Sequence, residues 1–154
     1  MMAQWVKLYK EMMGRVEYAF TRLRYPADEL IVLCMHSTPA DRMADFQVQV
    51  QWLQKHFKVI RPGELEAYFR GELKDGPYLL FTFDDGLVNN LYVAEWLHLK
   101  GMQACFFVVP AFIQSENSEH YYRTHIRSNI DERIDHELED RSALNMDQLK
   151  HLLH

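Results

Sequence analysis

Cysteine is nearly missing from this chain. Its 154 residues include two, Cys34 and Cys105, each inside an apolar run and neither in a Cys-x-x-Cys pair. That usage argues against a disulfide-built scaffold and against a thiolate zinc site, and it predicts two small, buried, reduced side chains. A basic surplus is missing too. With 17 Lys and Arg against 22 Asp and Glu, the net charge of -5 is the wrong sign for gripping a phosphate backbone, so no nucleic-acid partner is expected. No apolar run approaches the roughly 20 residues that cross a bilayer, so no transmembrane segment is expected. Nor do the first 25 residues contain a signal-type apolar core, because Lys7, Lys10, Glu11, Arg15 and Glu17 interrupt every stretch. A cytoplasmic protein is the expectation. Internal repeats and low-complexity tracts are lacking as well.

What is present is alternation between apolar runs and helical spacing. From about Gln4 to Leu23, Trp5, Leu8, Met12, Val16 and Phe20 recur every three or four residues, predicting an amphipathic helix. Leu30 to His36 is a continuous apolar run, the pattern of a strand buried on both faces in a parallel sheet. Phe46, Val50, Leu53 and Phe57 return to helical spacing, and a short Lys58-Val59-Ile60 piece and a brief helix over Glu64 to Phe69 follow. Lys74-Asp75-Gly76-Pro77 breaks the chain before a second apolar run, Tyr78 to Phe83. Leu91, Ala94, Leu97 and Leu99 predict another helix, closed by Gly101 at the glycine cap position, and Ala104 to Val109 is a third apolar run. The order strand, helix, strand, helix, strand is that of an α/β fold. Ser115 to Ser142 is polar and of mixed charge: Ile126, Ile130, Ile134 and Leu138 recur every four residues, so part of it reads as helical, and otherwise it reads as a solvated surface insertion. Asn145 then opens a helix, with Gln148 completing a capping box.

Chemistry gathers at Asp84-Asp85-Gly86. In isolation such a triplet is ordinary turn material. Here it closes a buried strand and precedes a helix, which is where α/β sheets place their ligands. Adjacent carboxylates repel unless a cation or a shared proton neutralises them, so a divalent metal beside one and a proton on the other would relieve the pair. His36 ends the first strand on the same logic and is either an active-site neighbour or a loop-capping histidine.

Phe81-Thr82-Phe83-Asp84-Asp85-Gly86 resembles the first motif of the polysaccharide deacetylase family, whose module is called the NodB homology domain. Leu33-Cys34-Met35-His36 is similar to that family's first strand, and Leu97 to Val108 to its Leu-x-x-x-Gly-x-x-Ala-Thr-Phe-Phe-Val stretch. The resemblance covers about Leu30 to Ile113 and resumes weakly over Leu144 to Leu153. It implies a deformed (β/α) barrel with fewer than eight strands, incomplete in this chain. It divides the chain into residues 1–29, a helix and linker, and residues 30–154, the first part of the module with a polar insertion at about 115–142. It implies a metal-dependent hydrolase that removes N-acetyl or other acyl groups from sugars of a polysaccharide or glycoconjugate. In that reading Asp84 is the general base and Asp85 a ligand of a divalent metal, zinc-like, which polarises the amide carbonyl.

The family's two metal-binding histidines belong to a motif that would follow His154, so these residues taken alone are expected to bind zinc weakly and to be inactive. His151 and His154, three apart on a helix, and His120, His125, His56 and His98 read as surface or helix residues rather than substitutes. A sheet cut short is also expected to self-associate through its exposed face. The alternative is a non-catalytic relative serving as a binding or scaffolding module. A carboxylate phosphatase is disfavoured, because it needs Asp-x-Asp after the strand.

Overall fold

The computed structural model describes residue 26, residues 28–126 and residues 142–153. The expected helix over Gln4 to Leu23, most of the polar insertion, and His154 lie outside the described residues.

Four strands form one all-parallel sheet: β1 (Leu30–Met35), β2 (Lys58–Val59), β3 (Tyr78–Phe83) and β4 (Cys105–Phe106). Parallel neighbours need a crossover between them. The intervening segments carry α1 (Met43–Gln54), α2 (Leu65–Phe69) and α3 (Asn90–Leu99). Strand β3 is the hub. Along its whole length β1 pairs with it, from Leu30 opposite Tyr78 to Met35 opposite Phe83. Its other edge is shared: β2 pairs with its start and β4 with its end. All six β3 residues are buried. The α/β class with a parallel sheet is therefore as read from the sequence. The sheet is open among the described residues, with β1 at one edge, and no barrel closes there.

Strand alternation sorts the core into two layers. Leu79, Phe81 and Phe83 point to one face, where Phe46 and Val50 of α1 and Val93 and Leu97 of α3 cover them. Phe46 meets Phe83 and Trp96 edge to face at centroid distances of 6.3 and 5.7 Å. On the other face, Tyr78 and Leu80 pack with Ile60, Leu65, Tyr68 and Leu73. That second layer protects the beginning of the sheet better than its end, so β1 departs from expectation. It is half-buried on one side and largely exposed on the other, with Val32 53% exposed. The two cysteines depart for the same reason: Cys34 is exposed and Cys105 half-buried, though both are free thiols.

The caps follow the sequence closely. Gly101 has φ 70°, its N–H donates to His98 O, and Met102 N–H donates to Leu97 O, each at 2.9 Å. Those are the two bonds of a Schellman ending, and Leu97 and Met102 also share the core cluster. Helix α6 (Met146–Leu152) has the expected box: Asn145 Oδ1 accepts from Gln148 N–H at 2.9 Å and Gln148 Oε1 from Asn145 N–H at 2.8 Å. The start of the supposed solvated insertion differs. Following α4 (Pro110–Ile113), α5 (Ser118–Tyr121) runs into a π-helical turn, Tyr122–Ile126. Tyr122 and Ile126 are buried with Leu87 and Phe112, so this stretch closes a second small core. Its polar composition hid two anchors in the midst of charged residues. No described helix is long and apolar enough to cross a membrane.

Truncating the hub should cost far more than truncating the surface. Phe81→Ala removes a side chain of 0% exposure and is expected to lower unfolding free energy by about 3–5 kcal/mol. Val48→Ala, at a site 66% exposed, is expected to stay within about 0.5 kcal/mol. Urea unfolding measures both, and equal losses would mean that β3 is not the centre of the core.

Candidate active site

The site is built where β3 runs out of partners. Asp84 N–H donates to Met35 O at 2.8 Å, the last rung between β3 and β1. One residue later the chain turns. Asp85 adopts φ 71° and Gly86 φ 79°, two successive residues in the left-handed region. Asp tolerates that region better than most residues, but at a cost that a sequence carries only where neighbours impose it. The neighbours are visible: Asp85 O accepts from Val109 N–H at 3.3 Å and Gly86 O from Leu144 N–H at 2.9 Å. At Gly86 a side chain is also excluded, because a Cβ there would lie 3.0 Å from Val108 Cγ1. An antiparallel bridge, Leu87 opposite Ala143, ties the turn to the segment before α6.

This geometry sets both carboxylates at the C-terminal end of the central parallel strand, each half-buried. Three other side chains join them. His36 follows directly on β1 and is exposed. Cys34 lies two residues before it, so the pleat sends both side chains the same way. The Cys34 thiol donates to Asp84 Oδ2 at 3.2 Å. Asn89 donates through Nδ2 to Ser37 Oγ at 2.8 Å, tethering the loop behind His36 to the start of α3.

Electrostatics separate the two aspartates. Burial pushes the Asp85 carboxyl above its ordinary value of 3.8; His36 partly opposes this and the Asp84 charge adds to it. The Cys34 thiol is raised as well, first by its hydrogen bond to Asp84 and then by burial. A thiol held in its protonated form is a poor spontaneous nucleophile, so Cys34 does not read as a catalytic cysteine. The arrangement offers a carboxylate to accept a proton, a second carboxyl that favours a proton or a cation, and an imidazole beside them.

Of the residues expected here, Asp84, Asp85 and His36 are brought together. The other histidines are not. His151 is exposed and 3.9 Å from Glu95 on α3, His125 lies against Thr124 and Tyr121, and His56 packs against the Trp52 ring at a tilt. Sequence reasoning missed Cys34, taken for a core residue, and the buried pair Asn89 and Asn90. The signal for Cys34 was its spacing: two residues from a strand-end histidine places it on the same face. Asn89 stands at the N-cap position of α3, but its side chain serves Ser37 instead of the helix amides.

Comparison with models of known protein families and with curated proteins gives no match for this chain.

The raised Asp85 carboxyl makes stability depend on pH. The folded state holds this proton more tightly than the unfolded chain. Raising pH above 3.8 therefore removes stability until the folded-state carboxyl has ionised. In chelator-treated protein, the stability of Asp85→Asn relative to wild type should be greater at pH 7 than at about pH 3, because asparagine cannot ionise. Urea unfolding at both pH values checks this, and an unchanged difference between them would show that burial does not disfavour the Asp85 charge.

Proposed function

We propose that the end of β3 is the catalytic end of a polysaccharide deacetylase-like module, hydrolysing the acyl amide of an N-acylated sugar. The observation that carries this reading is the position of Asp84-Asp85-Gly86: it ends the buried central strand of a parallel sheet, which has partners on both edges. Reactive groups there are held by the most rigid element yet open to a substrate. The motif resemblance supplies the reaction class, and a deformed (β/α) barrel is the finer fold that goes with it.

In this reading Asp84 is the general base. Its carboxylate takes a proton from the attacking water, and the Met35 and Cys34 contacts hold it facing the opening. Asp85 is the carboxylate ligand of a divalent metal, zinc by the resemblance. Its burial favours exactly one kind of neighbour besides a proton, a positive charge. The ligand set, however, is not assembled around it: among the described residues no group of three metal-ligating side chains includes Asp85. No step is therefore drawn through the ion. The substrate class is an N-acylated sugar or polysaccharide, approached from the half of the sheet that α1 and α3 leave uncovered.

Two substitutions in the native protein that carries these residues separate the roles. Asp84→Asn is expected to keep the metal held by Asp85 and to lower deacetylation by about 100-fold or more, the usual scale for a lost general base. Asp85→Ala is expected to lose the metal and with it the activity. Metal analysis beside turnover reads both. Equal metal loss in the two variants would reverse or merge the assignments, and undiminished turnover in Asp84→Asn would remove the base.

A further inference from the structure

The donors that do converge at this end of the sheet are Cys34 Sγ, a ring nitrogen of His36 and a carboxylate oxygen of Asp84, all within 4.8 Å of one another. We infer that Cys34, His36 and Asp84 form a divalent-cation site of their own, selective for a thiophilic ion such as zinc and distinct from any site on Asp85. The inference goes beyond the deacetylase reading and does not depend on it, because its sulfur donor lies outside the motif.

The backbone fixes two sides of the triangle. Cys34 and His36 stand two residues apart at the end of β1, so their side chains leave the sheet on one face. Asp84 is locked beside them by its 2.8 Å bond to Met35 O, the residue between the two. The Cys34 thiol already contacts the carboxylate at 3.2 Å. A tetrahedral zinc with bonds of about 2.0–2.3 Å separates its ligands by about 3.3–3.8 Å, so closing round the ion requires a contraction of roughly 1 Å. Cys34 and His36 are exposed and can make that adjustment by rotating. Binding replaces the thiol proton with the ion, and that proton leaves to solvent.

The donor types decide the metal class. One thiolate, one imidazole and one carboxylate suit zinc, cadmium or cobalt, and disfavour magnesium and calcium, which demand oxygen. Three protein ligands also leave a fourth position for water. Occupancy has a consequence for Asp84: a carboxylate bound to this ion is not free to take a proton from an attacking water. Metal here and general-base work at Asp84 exclude one another. A Cys-x-x-Cys pair would build a thiolate site within one segment; here the donors come from two strands.

The test is titration of the reduced, metal-stripped protein with cadmium, followed by the sulfur-to-cadmium charge-transfer absorption in the ultraviolet. One equivalent is expected to bind with that band present. Cys34→Ser should abolish the band, and His36→Ala and Asp84→Asn should each weaken binding by about tenfold or more. Cys105→Ser and His151→Ala should bind as the wild type does. Cys34 and His36 are exposed, so their variants are expected to fold, and circular dichroism verifies that. The inference is overturned by a band that survives Cys34→Ser, by the absence of stoichiometric binding, or by undiminished binding in both His36→Ala and Asp84→Asn. None of these readings involves acetate release, so this site and the deacetylase reading can fail separately.

Discussion

Everything in this fold hangs on one strand. A strand buried on both faces and flanked on both edges must have every backbone group paired, since water cannot reach it. In β3, β1 meets that demand along one whole edge, while on the other β2 pairs with Tyr78 and Leu79 and β4 with Thr82 and Phe83. The requirement fixes the register of the other three strands and thereby the lines of α1 and α3, which cover its Leu79, Phe81 and Phe83. It also fixes where the ladder stops. Past Phe83 the chain leaves the sheet in a tight left-handed turn, and the unpaired end becomes the place where polar chemistry can meet solvent.

Much of this was written in the sequence because the hub is a local pattern. Tyr78 to Phe83 is six apolar or weakly polar residues between a Gly-Pro break and Asp-Asp-Gly, and it is a fully buried strand. The Gly101 ending and the Asn145 box were legible for the same reason: each is chemistry within six residues. What the sequence hid is non-local. Leu30 to Met35 has the composition of a two-face-buried strand, but its outer face depends on a cover that the described residues do not supply, so Val32 and Cys34 are exposed. Tyr122 and Ile126 were masked by charged neighbours and found their role only through Leu87 and Phe112. The sharing of one β3 edge between β2 and β4 has no signature in a single chain segment. Nor has barrel closure, which belongs to residues at opposite ends of a sheet.

The candidate site shows the same division. Asp84, Asp85 and His36 were legible because strand ends are where α/β folds expose reactive groups. The environment that distinguishes them was not. Asp85 differs from Asp84 by burial and backbone conformation, and Cys34 enters only because β1 and β3 are in register to the last residue. Two adjacent carboxylates would repel in water; here one is the acceptor of a thiol and the other is pushed towards a proton or cation.

The central claim is that the carboxylates ending β3 serve hydrolysis of an acyl amide on a sugar. Proton NMR of acetate released from N-acetylglucosamine oligomers by the native protein tests it most directly, with zinc present and a chelator-treated control. The account predicts acetate that accumulates with time and stops on chelation. A folded Cys34→Ser protein, in which no zinc is held at Cys34 to engage Asp84, that carries zinc, binds the oligomers and releases no acetate would contradict it, and would make this sheet end a recognition surface instead of an active site.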